Sequence, residues 1–521
     1  MSLAKRGTML ILLASLVTVA FAQLDRVALT ETIDRLRQEV VQNPNNAGTW
    51  IDLGQAYLEA SELTRIDLNV DPLEAARESF TEAIALDYRN GDAHLGLGLA
   101  EFERGDFVAA LFAFNEVTRL FPERFDGHYN RAVTLARLQR PDEAVAAFQT
   151  ALERRDQTSD ARIVETYLGL ARQLRNLENY AEVASAYGSA LELRPGDEEL
   201  IFLRSEAQYL AGNGLEALPE LTELEATSND FQVSALIADI YVEAGQVERA
   251  QRALERARRI AEEQGERAEE ANILVKLAIL QRDLGRNGEA VRLLLNATDT
   301  DPLSWQAFYN LGISYLESGQ SRSARNSLEN ALALNTTSGE LYLALATAYD
   351  RLNEPQDALR SAQAALQRFR NEPDLETEAR FVVGRSLYRL GSYQEALLTL
   401  ERVVAAEPEN APAQLWAGLA EYQLGNFEDA VQFLSRAVQL DPGSIEALIN
   451  LGAAYLASEQ YEDAEVVYNE VIDLTGGSPE TFFNLGWALL LQGERNAAQN
   501  AWQQSASLNF TPAREALAEY F

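Results

Sequence analysis

An all-α solenoid of about thirteen stacked helical hairpins is the fold class this sequence predicts, and three observations predict it. The same residue types return roughly every 34 positions along the chain. Two positions within that period hold small residues almost without exception. Turn-forming residues fall between the segments where a helical hairpin has to reverse. The first unit shows the pattern openly, with Trp50, Leu53, Gly54 and Tyr57 followed by Ala76 and Phe80. Later units repeat it, as in Phe308, Leu311, Gly312, Tyr315 and Ala324.

In register, position eight of the unit reads Gly54, Gly98, Ala132, Ala171, Ser205, Ala238, Ala278, Gly312, Ala346, Gly384, Gly418, Gly452 and Gly486. Position twenty is alanine from Ala76 to Ala498, with only Val183 departing. Small residues at fixed spacing on two paired helices let the helices of a hairpin approach closely. Larger residues at positions four, seven, eleven and twenty-four then fill the space around them.

The elements follow in order. Residues 1–22 read as a secretory signal peptide. Lys5 and Arg6 supply the positive start, Thr8 to Phe21 is apolar, and Ala20-Phe21-Ala22 is a small-x-small cleavage pattern that makes Gln23 the first mature residue. The alternative is an uncleaved leader that anchors the protein. A lipoprotein is excluded, since the chain has no cysteine to acylate. Residues 23–46 form an N-terminal cap, with a lone amphipathic helix from Leu24 to Gln42 ending at Asn43-Pro44. Repeats 1–3 occupy 47–163, with an insertion near 61–70. Repeats 4–6 occupy 164–270, repeats 7–9 occupy 271–376 and repeats 10–13 occupy 377–512. Short extensions near 159–163, 265–270 and 373–376 separate these blocks and are candidate changes of pitch or hinges. Pro219 falls inside a second helix, which is therefore expected to be short or kinked. Residues 513–521 form a C-terminal cap after Pro512.

Helix punctuation agrees. Gly105, Gly212, Gly245, Gly285, Gly319, Asn353, Gly391, Gly425 and Gly493 stand where the first helix of a unit ends. Pro122, Pro195, Pro302, Pro408 and Pro442 close units, where helix must stop. On these residues the chain resembles the tetratricopeptide repeat family over about 47–512. The resemblance implies helix-turn-helix units stacked into a right-handed superhelix, with a concave surface lined by first helices.

Composition bounds function. Apolar residues make up 47% of the chain, enough for a continuous inter-repeat core. The net charge of −36 repels phosphate backbones, which excludes nucleic acid as a partner class. Catalytic signals are absent: no phosphate-binding loop, nucleophile elbow, H-E-x-x-H pair or calcium loop occurs. His94 and His128 both sit at position four and are read as packing residues, with no cysteine or further histidine to complete a zinc site. No cofactor is expected. The chain is read as a non-enzymatic scaffold. A component of polysaccharide or peptidoglycan machinery is the alternative, and a hydrolase hidden among the carboxylates is a remote third.

The resemblance places the binding residues on the first helices. Family members that hold acidic C-termini use a base at position five and Asn at position nine; here neither recurs. Position five instead runs from Ile51, Leu95 and Tyr129 to Phe381, Leu415, Ile449 and Phe483, an apolar row that suits a segment with apolar anchors or packs against neighbouring helices. Arg351, Arg385 and Arg389, with Phe381 and Tyr388 beside them, form a candidate site for an acidic partner. Pairing of these arginines with Asp350 or Glu378 is the alternative. Arg172 with Arg175 is a second candidate of the same kind, and Tyr309, Tyr422, Phe483 and Trp487 are candidate glycan or partner contacts. Protein or peptide is the expected partner, glycan the alternative, and membrane contact would come only through the leader. The chain is expected to be exported, periplasmic or extracellular after cleavage between Ala22 and Gln23.

Overall fold

The computed structural model describes residues 22–62, 68–369 and 371–521. The signal-peptide reading falls almost wholly outside these residues. The described chain folds as an all-α helical repeat solenoid of 28 helices, with no strand among the described residues. They form thirteen helical hairpins, a preceding helix Ala22–Gln42 and a closing helix Thr511–Tyr520. The chain divides into two compact units, one ending at Gln264 and the other beginning at Gly265. The first holds the N-terminal helix and six hairpins, the second seven hairpins and the closing helix.

The small-residue register is the packing rule of every hairpin. Built on the backbone of Gly98, Gly312, Gly384 or Gly418, a Cβ would stand 2.5–2.7 Å from Phe114, Leu328, Leu400 or Leu434, the residue at position twenty-four of the same unit. Ordinary carbon contacts are about 3.5–4.0 Å, so only glycine permits this separation. All thirteen position-twenty residues, Val183 included, are at most 1% exposed. The nine glycine or asparagine residues predicted to end first helices all adopt the left-handed conformation, with φ from 58° to 89°. Three hairpins make the same turn with Gln139, Glu178 and Glu459 at φ 58°, 56° and 64°, where a side chain costs about 1–2 kcal/mol.

Position four does more than fill space. Trp50 Nε1 donates to the carbonyl of Pro44 at 2.9 Å, and Gln414 Nε2 to that of Pro408 at 3.1 Å. Nε2 of His94 and His128 makes the same bond to the carbonyls of Tyr88 and Pro122, at 2.9 and 2.8 Å. Each acceptor lies six residues upstream, in the turn that precedes the first helix. The two buried histidines therefore tie an exposed turn to its helix, as Nε2–H tautomers. Burial pushes the His128 imidazole below its ordinary pKa, an effect the Pro122 bond opposes.

The three extensions are largely helical. They lengthen first helices to 17 residues, at Asp160–Asn176, Arg267–Asp283 and Pro373–Arg389, against 13 in most units. Four residues make about one helical turn, so each insertion is absorbed as helix. The block boundaries at 163, 270 and 376 fall inside these helices. Pro219 does not shorten its helix either: Gly214–Thr227 runs 14 residues through it. In the first unit the first helix reaches Glu62, and the end of the insertion folds back, with Leu68 6% exposed beneath the N-terminal helix. Arg37 of that helix donates to Tyr57 at 2.6 Å and to the Leu68 carbonyl at 3.5 Å. The closing helix begins at Thr511, two residues before the expected Ala513, with Pro512 in its first turn, where a missing N–H costs nothing.

Candidate functional site

The first helices place the candidate residues, because positions five, nine, twelve and thirteen recur on one side of each helix. The row at position five is buried or half-buried throughout. Ile51, Phe202, Val275, Leu343 and Leu415 are each under 9% exposed, so much of this row packs against neighbouring helices.

The arginines come together where two consecutive first helices, Gly339–Arg351 and Pro373–Arg389, lie side by side. Asp350 is the centre, at 3% exposure. Its Oδ1 accepts from Arg385 Nε at 3.0 Å and from Arg389 Nη1 at 2.7 Å, and its Oδ2 accepts from Arg385 Nη2. The Asp350 carbonyl takes a further bond from Arg389 at 2.9 Å. Arg351 turns the other way and donates to the Leu316 carbonyl of the preceding first helix. The Arg385 guanidinium lies 5.0 Å from the Phe381 ring centre, and that of Arg389 lies 5.5 Å from Trp416. Tyr388 meets Trp416 edge-on at 5.2 Å. Phe381, Arg385, Tyr388 and Arg389 thus form one cluster with Asp350 and Trp416, while Arg351 stays apart from it, and pairing of the arginines with Asp350 was the alternative the sequence left open. Glu378 pairs with none of them; burial pushes its carboxyl up, and Glu407 adds to the shift.

The second arginine pair is split. Arg175 joins Glu206 of the next first helix at 2.5 Å, while Arg172 is exposed and makes no ion pair among the described residues. Tyr309 is half-buried beside Trp305, with its hydroxyl pushed up in pKa by burial and then by Glu340. Tyr422 packs edge-on against Phe427 at 5.4 Å. Phe483 and Trp487 face the C-terminal cap: Phe483 meets Phe510 at 5.3 Å, and Trp487 meets Trp502 at 5.1 Å and Tyr520 at 5.5 Å.

Sequence reasoning missed Trp416 and Glu206. Trp416 holds position six, where other units carry residues such as Gly96, Gly169 and Ala344, and that contrast was the available signal. Glu206 stands at position nine of the unit after Arg175, with the sign reversed relative to Asp350 and Arg385, so no single-residue rule exposes it.

Family models described as tetratricopeptide repeat match residues 73–118, 109–160, 309–373, 343–400 and 381–445, and two more of that description match 422–480 and 231–302. Among curated proteins, 125 residues are 31% identical to the BBSome complex member BBS4 of Xenopus tropicalis, covering 23% of this chain and 23% of that protein. A stretch of 330 residues is 24% identical to protein O-mannosyl-transferase TMTC3 of Homo sapiens, covering 60% of this chain and 35% of that protein. The matched stretches therefore span well under two thirds of either relative. Among solved structures, the APC/C hetero-tetramer Cut9-Hcn1 is 14% identical with a TM-score of 0.39, over 90% of this chain and 96% of that one. YrrB, a protein with an unusual peptide-binding site, is 29% identical with a TM-score of 0.31, over 34% of this chain and 90% of that one.

Proposed function

We propose that this chain, which belongs to the tetratricopeptide repeat proteins, is a non-enzymatic scaffold that holds polypeptide partners on the face of its first helices. Proteins of this family generally bind protein or peptide partners and are generally non-catalytic. One observation carries the reading: side chains able to make strong directional contacts converge from consecutive first helices, at Asp350, Phe381, Arg385 and Arg389. Such a surface is built by stacking, so it recognises an extended or helical segment along several repeats. The transferase activity named for one relative is not carried over, since the match covers 35% of that protein.

The glycan reading rests on aromatic rings free to stack on sugars. Trp487 instead packs between Trp502 and Tyr520, and Tyr422 against Phe427, which favours polypeptide. Affinity capture with the purified protein, followed by protein and sugar analysis of what is held, separates the two. Bound polypeptide sensitive to Arg389→Gln supports the proposal, and bound glycan indifferent to that change contradicts it.

Export is part of the proposal. Lys5, Arg6, the apolar stretch to Phe21 and Ala20-Phe21-Ala22 support it. Intact mass of the protein from its native cells should place the first residue at Gln23, and a species beginning at Met1 would contradict cleavage.

A further inference from the structure

Position twenty-two of the repeat points outward on the second helix. Its residue is exposed in every hairpin, from Glu78 in the first to Asn500 in the last. Position eighteen, one turn earlier, shares that face. No packing rule constrains either position, and most hairpins fill them with polar or small residues, as at Ser185, Arg252 and Gln356. Leu215, Leu398 and Val466 are exceptions of one residue each, matched with Pro219, Gln394 and Glu462. The second hairpin alone carries large apolar side chains at both positions. Val108 is 69% exposed and Phe112 73% exposed, on the helix Phe107–Leu120. One turn beyond Phe112, the Tyr88 hydroxyl donates to Glu116 at 2.6 Å, and the Tyr88 ring is 53% exposed. Arg119 closes that end, 5.9 Å from the ring centre. Val108, Phe112 and Tyr88 make an apolar strip about 12 Å long, running from residue 108 to residue 116 of the helix.

Nothing in the fold requires this strip, and exposed apolar surface of this kind marks contact with another molecule. The charges on the second helices before and after it select that molecule. Their bases are already held: Arg77, Arg119 and Arg140 each pair with a carboxylate three residues away, and Arg131 donates to the Asn115 side-chain oxygen at 2.7 Å. The outward positions of the hairpins on either side carry Glu78, with Glu82 one turn on, and Asp142. These three carboxylates are exposed and make no salt bridge among the described residues. The apolar strip therefore runs between unpaired acids. A second copy of the chain would set these acids against its own, and an anionic bilayer would meet the same repulsion. A segment with bases on both sides of an apolar stripe meets attraction instead. The strip lies on a helix, whose backbone groups are bonded within it, so it offers side chains only and cannot take an added strand. An amphipathic helix packs a ridge of apolar residues against such a surface.

We propose that Val108, Phe112 and Tyr88 form a docking surface, on the second-helix side of the array, for an amphipathic helix of a partner protein whose apolar stripe is flanked on both sides by lysine or arginine. This surface is separate from the first-helix face and gives the scaffold a second point of attachment.

The test titrates the full chain into a fluorescein-labelled synthetic helix of about 18 residues, with leucine along one stripe and lysine on both flanks, and reads anisotropy. Two control peptides replace every leucine by alanine or every lysine by glutamate. The leucine–lysine peptide should bind saturably, and each control at least about ten-fold more weakly. Phe112→Ser should weaken binding at least about five-fold, and Val108→Gln about three-fold. Serine and glutamine already stand at these outward positions in other hairpins, at Ser185 and Gln356, so both variants should keep the wild-type urea midpoint. Glu78→Gln with Asp142→Asn should weaken binding about three-fold and flatten its salt dependence. Leu398→Ser, at the same outward position of the tenth hairpin, should change nothing. A peptide that binds Phe112→Ser and Val108→Gln as tightly as wild type would overturn the proposal. So would a dimer in sedimentation that Phe112→Ser dissociates, or phosphatidylglycerol vesicles held through Phe112 in place of the peptide. None of these results touches the first-helix reading, which the capture experiment with Arg389→Gln decides separately.

Discussion

Gly486→Ala adds one methyl group and should cost the C-terminal repeat about 2–4 kcal/mol. The methyl would land on Cδ1 and Nε1 of Trp502, a fully buried ring. Contacts of about 3.5–4.0 Å can be restored only if the indole shifts by about 1 Å or more. That shift strains the bond from Trp502 Nε1 to the Phe483 carbonyl, now 2.9 Å, and disturbs the contacts of Trp502 with Trp487, Tyr520 and Phe521. Overpacking costs about 1–3 kcal/mol and an orphaned buried donor about 1–3 kcal/mol. Better helix propensity returns about 1 kcal/mol. Gly188→Ala is the control, because a Cβ there meets only Arg204 Cδ at 3.7 Å and should stabilise by about 0.5–1 kcal/mol. Gly418→Ala should fall between them at about 1 kcal/mol, since Leu434 at position twenty-four can shift, and Ala278 and Leu294 are both buried at the same two positions of their unit. Urea unfolding followed by tryptophan emission reads the stability, and hydrogen exchange reads its location, which should be Pro479–Leu491, Arg495–Ser507 and the closing helix. If Gly486→Ala and Gly188→Ala stabilise alike, the close approach of the two helices is not what position eight is for.

Asp350→Ala leaves two partly buried guanidiniums without their carboxylate and should lower stability by about 3–5 kcal/mol, read as a shift of the urea midpoint. Gln139→Gly should stabilise by about 0.5–1 kcal/mol, since glycine removes the left-handed penalty at φ 58° and gives back part of it as backbone entropy; a loss in thermal unfolding would contradict this. His128 favours its neutral form in the fold, so the unfolded chain takes up the proton first as pH falls. Its contribution is therefore present above about pH 6.5 and lost on acidification below it. His128→Gln keeps the donor that Gln414 uses and removes the titration, so the variant should lose less stability than wild type between pH 7 and 5.5 in urea unfolding.

The hairpins were legible in the sequence because each packing rule repeats thirteen times. A small residue at position eight and alanine at position twenty have one geometric meaning, and recurrence separates them from chance. The left-handed turns at Gly105 or Gly425 were legible for the same reason, since few residues other than glycine adopt that conformation at low cost. The turns at Gln139, Glu178 and Glu459 were not, because there the surrounding hairpin imposes a backbone the residue disfavours. Helix extension was hidden by a different cause. Inserted residues such as Pro373 to Glu376 read as interruptions in register, yet a helix lengthens by a turn without disturbing the packing that follows.

At the candidate site, the clustering of Arg385 and Arg389 followed from their four-residue spacing. That Asp350 would take both could not be decided from sequence. Asp350 and Glu378 were both within reach in the periodic register, and burial of Asp350 at 3% exposure is a tertiary fact. The histidines at position four illustrate a third limit. Their place in the register was plain, but a bond to a carbonyl six residues upstream depends on the path of the turn.

The measurement that bears most directly on the scaffold account is a photocrosslinking map in the native cells. A photoreactive amino acid is placed singly at Arg351, Tyr388 or Tyr422 on first helices, and at Arg360, Leu398 or Gln432 on second helices. The account predicts discrete crosslinks to polypeptide from the first-helix positions, lost when Arg389→Gln is added, and no comparable bands from the second-helix positions. Equal crosslinking from both sets, or polypeptide captured only from the second helices, would contradict it.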